Sequence, residues 1–267
     1  MLDATARWHG LHAHASALQA GLRFGARGTH SSRTMMLAEL GDVLAAVPGS
    51  GSRLDYAVAA IDDNVAGKAT ASARRLTHKR LRELYGLDPA VPIFRVLRRL
   101  WAVDESGRPT LALLCALARD PLLRLSAPTV LGLQPGQELV RSALVAAVAG
   151  QTGERLNEAV VDKVARNSAS SWTQSGHLRG RMRKIRSVVE PTPGSLAFAL
   201  WLSSLDGHTG VQMLRAAWAT VFDRGPQRLL DAALTAQQLH LLHVRLGGDV
   251  VEIDASGLDP ATHRGRP

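Results

Sequence analysis

Apolar residues recur at helical spacing along most of the chain. Met36, Leu37, Leu40, Val43, Leu44 and Val47 mark a helix within Thr34 to Val47 that Pro48-Gly49-Ser50-Gly51-Ser52 ends. Leu54, Val58, Ile61 and Val65 predict a second. Thr70 to Tyr85 is amphipathic: Ala73, Leu76, Leu84 and Leu87 share one side with Leu81 at its margin, Arg75, Lys79 and Arg82 line the other, and only Arg80 breaks the division. Ile93 to Val103 and an apolar helix opened by Pro109 and ending at Arg119 follow. After the Gly132 to Gly136 connection, helical spacing returns over Gly136 to Ala149, Asn157 to Ser168, Gln174 to Val189, Gly194 to Leu205, Val211 to Phe222 and Gln227 to Leu242. The period then shortens. Val244-Arg245-Leu246 and Val250-Val251-Glu252-Ile253 flank Gly247-Gly248-Asp249, the pattern of a β-hairpin.

The expected fold is mostly α: a helical domain over 31–131, then a helical, helix-turn-helix-like domain over 137–254 that ends in the hairpin. Residues 1–30 lack steady periodicity and are expected to be poorly ordered, and 255–267 to form a flexible tail.

Within the second half, Asn157 caps a short helix, Ser168 to Trp172 reads as a polar turn, and Thr173 caps a second helix. Leu178, Met182, Ile185 and Val189 stripe that second helix, leaving His177, Arg179, Arg183, Lys184 and Arg186 outside the stripe. Two helices joined by a polar turn, the second one basic, is a helix-turn-helix arrangement, and the Gly247-Gly248 hairpin with Arg245 would stand as its wing. Trp172 at the hinge is expected to plug the core rather than to stack on bases.

Charge sharpens this picture. The chain of 267 residues carries 32 Lys and Arg against 23 Asp and Glu. Two acid-free stretches concentrate the excess: Asn64 to Arg82 holds six basic residues and Lys163 to Val189 holds seven, so the rest is slightly acidic. Such clusters suit a surface that meets a polyanion. Aromatic residues make up 4% of the chain, too few for a platform that stacks successive bases.

Other chemistry is sparse. The single Cys115 excludes a disulfide framework and reads as a small core residue. His9, His12 and His14 lack carboxylate company beyond Asp3, and Asp62-Asp63-Asn64 reads as a solvated helix end, so no metal and no other cofactor is expected. Phosphate-binding glycine loops are absent, and Ser195 with the scattered histidines shows no triad order. No stretch reaches the roughly 18 to 20 apolar residues a membrane span requires, and a non-enzymatic cytoplasmic protein is expected.

The segment from Asn64 to Leu76, with Lys79-Arg80-Leu81 after it, resembles the N-terminal signature of the BrxA family, accessory proteins of BREX bacteriophage-defence systems. Trp172-Thr173-Gln174-Ser175-Gly176 leading to Lys184-Ile185-Arg186 is similar to that family's later segment. The two matches frame the chain from about Thr34 to Val189; the first 30 residues and the long C-terminal part depart from the pattern. The resemblance implies a helical, non-catalytic protein that binds double-stranded DNA, with Lys68, Arg74, Arg75, Arg179, Arg183 and Lys184 as contacts. Lys79, Arg82, His177 and Arg186 join them as candidates from the charge clusters. An adaptor that meets an acidic protein partner, or an RNA-binding helical module, is the alternative expectation.

Overall fold

The computed structural model describes residues 4–248 and 250–260. It is mostly helical with a small antiparallel hairpin near the C-terminus. The helices are α1 (Ala4–His9), α2 (Ala15–Ala20), α3 (Leu37–Ala46), α4 (Arg53–Ile61), α5 (Ala71–Tyr85), α6 (Pro92–Val103), α7 (Arg108–Arg119), α8 (Pro121–Arg124), α9 (Ala127–Leu131), α10 (Arg141–Thr152), α11 (Glu158–Gln174), α12 (Pro193–Leu205) and α13 (Pro226–Gln238). Strands β1 (Leu178–Arg179) and β2 (Ile185–Arg186) pair with each other, as do β3 (His243–Gly247) and β4 (Val250–Asp254).

Local chemistry starts and stops these elements where the chain can satisfy its free backbone groups. Ser52 and Asp55 form a reciprocal cap on α4, and the Thr70 hydroxyl accepts the Ala73 N–H at the head of α5. Proline occupies the first turn of α6, α7, α12 and α13, where its missing N–H costs nothing. Along α5 the buried residues are Thr77, His78, Leu81, Leu84 and Tyr85, a face turned from the expected one. Leu76 lies partly exposed at its edge, and Arg80 is held by Glu83 at 2.7 Å.

Two helices are apolar nearly all round, and they become the centre. Every residue of α7 from Thr110 to Arg119 and every residue of α12 from Gly194 to Ser203 is buried. α12, from the second half of the chain, packs against α6 and α7 from the first. Asp104 fastens that joint: one carboxylate oxygen accepts the N–H groups of Gly194 and Ser195 at 2.9 and 3.1 Å, and the other accepts the Gly107 N–H at 2.9 Å. A Cβ on Gly194 would lie 2.6 Å from the same carboxylate, so this close approach requires glycine.

One apolar cluster therefore runs from Trp8 to Leu258, across the connection at Gly132 to Gly136 that the sequence suggested as a domain boundary. Trp8 packs edge-on against Trp218 with ring centroids 5.3 Å apart, and its indole N–H bonds Thr220 Oγ1. Of the expected tail, Ala255 and Leu258 are buried and Asp259 pairs with Arg95 at 2.9 Å; 261–267 lie outside the described residues.

Candidate nucleic-acid interface

The second basic segment folds differently from the expected pair of helices. Asn157 does cap a helix, but α11 continues without a break through Ser168 to Trp172 and ends at Gln174. Serine and threonine run inside a helix here because their hydroxyls find acceptors one turn back: Ser171 bonds the Asn167 carbonyl and Thr173 the Ala169 carbonyl. Trp172 is fully buried and its indole N–H meets Ser126 Oγ at 2.7 Å, the core role expected of it.

Beyond Gln174 no second helix forms. Gly176 and Gly180 adopt φ of +85° and +97°, which ends the helix and turns the chain into the β1–β2 hairpin. The four, three, four spacing of Leu178, Met182, Ile185 and Val189 imitated a helix stripe, yet Leu178 is buried while Met182 at the tip is 91% exposed. A third segment joins the hairpin: Gly136 and Leu139 donate to the Arg186 and Lys184 carbonyls, and Arg186 donates back to Gln137.

Read in chain order, α9, the paired segment 136–139, α10, a short connection, α11 and the β1–β2 hairpin follow the order of a winged helix-turn-helix, shifted upstream from the expected one. α10 and α11 close on each other through Val148, Val161 and Val164, with Leu122 of α8 behind them. The exposed side of α11 includes Glu158, Lys163 and Arg166. The wing is the hairpin at 178–186; the expected wing at Gly247-Gly248 packs instead against the 3-10 turn at Gly210–Arg215.

This folding separates the candidate residues. His177 is wholly buried: its Nε2–H donates to the Val221 carbonyl and its Nδ1 faces the Ser175 hydroxyl, both at 2.9 Å. Burial pushes its pKa down to about 3. Arg186 is buried too, paired with Asp223 at 2.6 Å. Arg186 stands opposite buried Leu178 in the hairpin register and so points into the protein, and His177 is enclosed where the chain enters the hairpin, so neither is available to a nucleic acid. Arg183 is exposed and pairs with Glu138 at 2.6 Å, and Lys184 Nζ donates to the Gly180 carbonyl. Arg179 and Arg181 are exposed and form no ion pair among the described residues. Arg181 was not among the expected contacts, because a helical reading placed it on no useful face.

The first basic segment divides in the same way. Lys68 is engaged by Glu39 at 2.8 Å, and Arg74 donates to the Lys68 carbonyl at 3.3 Å, so these two stabilise the turn before α5. Arg75, Lys79 and Arg82 are exposed along α5 without carboxylate partners among the described residues.

A buried polar chain was not visible in the sequence. His30 Nδ1 meets Asp120 at 2.7 Å and Nε2 meets Ser171 Oγ at 2.8 Å, the connectivity of a Ser-His-Asp triad. All three side chains are enclosed, and Ser171 Oγ accepts the Met35 N–H. As arranged, the chain is a structural tie between the loop before α3, the corner at Asp120 and α11. Burial alone would raise the Asp120 pKa, but the charge and hydrogen bonds of His30 outweigh it and hold the carboxyl below its usual range. The three residues lie 90 and 141 positions apart, so no local spacing could have disclosed them.

Among the described residues, no three His, Cys, Asp or Glu side chains are placed to hold a metal, and no helix is long and apolar enough to cross a membrane. Neither a protein-family model nor a curated protein matches the chain.

Proposed function

We propose that the chain binds double-stranded DNA without catalysing a reaction, as an accessory protein of a BREX-type defence system in the cytoplasm. The observation that carries this reading is the hairpin tip from Arg179 to Lys184. It sets four cations within six residues, only one of them in a salt bridge among the described residues, at the end of a winged-helix order of elements. The resemblance of Asn64 to Leu76 and of Trp172 to Arg186 to the BrxA family supports the defence context.

In this reading α11 offers its exposed side to the major groove while Arg179 and Arg181 on the wing meet phosphates, and Arg75, Lys79 and Arg82 of α5 extend the charged surface. Affinity comes mainly from counterion release. With roughly six phosphates neutralised, log K falls against log salt with a slope of about −5. Changing Arg179 and Arg181 to Glu weakens binding at least tenfold for any duplex sequence and makes the slope less negative by about two, as read by salt-titrated fluorescence anisotropy. Unchanged affinity in that variant, or a salt-independent affinity of the parent, overturns the reading. Met182, exposed between two arginines, also suits an acidic protein partner. An association that survives nuclease treatment and is lost in the same variant favours that adaptor.

A further inference from the structure

Behind the exposed face of α5 lies a cavity of about 380 Å³, within the range of about 300 to 1,000 Å³ typical of small-ligand sites. Arg23, Arg27, Lys79, Arg80 and Arg119 line it, and Glu83 is the one carboxylate in its wall. That carboxylate is already occupied, since its Oε2 accepts both Arg80 at 2.7 Å and the Thr29 hydroxyl at 2.9 Å. The Nε of Arg80 is buried without an acceptor. Leu122 and Leu156 complete the wall with apolar surface.

Arg119 is the unusual member. It is 6% exposed and no carboxylate pairs with it among the described residues. Its donors reach only backbone carbonyls, those of Arg82 and Glu83 in the last turn of α5 and that of Gly21. Carbonyl oxygens orient a guanidinium without neutralising it, so its positive charge is carried into the protein uncompensated. Burial lowers its pKa to about 10, which leaves it charged at neutral pH. Three more cations, Arg23, Arg27 and Lys79, stand over the same space without ion-pair partners among the described residues. A doubly charged oxyanion entering the cavity would be met by several N–H donors and would offset this excess; a cation or a neutral ligand would not.

We propose that this cavity binds a phosphomonoester, its dianionic phosphate held by Arg23, Arg27, Lys79 and Arg119 and its ester group against Leu122 and Leu156. The volume accommodates more than the phosphate alone. A continuous nucleic-acid backbone presents singly charged diesters with a sugar on each side, whereas Arg119 is reached only by a group that enters. The ligand is therefore either a free phosphorylated small molecule or a phosphorylated strand end. The inference stands on the cavity and not on duplex binding.

Thermal unfolding of the full chain tests it with inorganic phosphate and a nucleoside monophosphate as probes, against potassium chloride at equal ionic strength. The expected result is a saturable rise in Tm with both probes beyond that in chloride. Replacing Arg23 and Arg27 together by Met weakens the phosphate response at least tenfold without lowering the Tm measured in the absence of phosphate. These two side chains are exposed, so the variant folds even if Arg119→Met does not. No rise, an equal rise in chloride, or a double variant that responds like the parent overturns the proposal. A 5′-phosphorylated duplex that binds tighter than its 5′-hydroxyl twin assigns the ligand to a strand end. Equal binding of the two duplexes, with the monophosphate response intact, assigns it to a free molecule.

Discussion

His177 and its neighbour in the hairpin, Arg186, show how little residue type says about availability. Both belong to the most basic stretch of the chain, and both are enclosed. For His177 the consequence is measurable. Its ring is neutral in the folded protein until about pH 3, while an unfolded chain takes up the proton near the ordinary 6.5. The unfolded state thus binds more protons between those values, and stability falls as pH drops from about 6.5 toward 3, by up to about 1.4 kcal/mol per pH unit. Urea unfolding at a series of pH values should show this slope, and His177→Gln, which keeps an N–H donor, should flatten it. An identical slope in the variant would place the titration elsewhere.

At the scale of elements, most helices were legible because their periodic apolar residues, capping residues and prolines all agreed. Thr70 to Tyr85 is such a case: α5 runs Ala71–Tyr85, within the amphipathic span, with Thr70 as its cap and Gly86 after its last residue. The Lys163 to Val189 stretch was misread for two physical reasons. Serine-rich helix looks like turn when the acceptors of its hydroxyls are out of view, and a hairpin whose apolar residues happen to fall four and three apart looks like helix. Glycine at 176 and 180 was the available signal, and its positive φ decides the matter. The candidate site suffered accordingly. The charge was located correctly along the chain, but which arginines face solvent depends on strand alternation that a helical wheel cannot supply. The Asp104 joint is an element-scale feature with a direct test. Asp104→Ala leaves the Gly194 N–H at the head of α12 without its acceptor and the Ser195 N–H with only the capping Thr192 hydroxyl at 3.4 Å, and should lower stability by about 3 kcal/mol in chemical denaturation. A loss under about 1 kcal/mol would mean that water or Thr192 replaces the carboxylate.

Across the whole molecule, one apolar cluster takes in residues from Trp8 to Leu258, with a smaller one of Leu122, Val148, Val161 and Val164 beside it. Unfolding followed by tryptophan fluorescence and by far-UV circular dichroism should therefore give coincident transitions; two separated transitions would restore a division near Gly132. The same packing brings the first basic segment to the entry of α11, since Leu156 lines the cavity together with Lys79 and Arg80 of α5. The contact between Trp8 and Trp218 adds a constraint in time. α1 can pack against α9 once that helix is made, but the Trp8 ring cannot meet Trp218 until more than two hundred further residues have left the ribosome. Late closure of this kind leaves that apolar surface open to aggregation and proteolysis while synthesis proceeds.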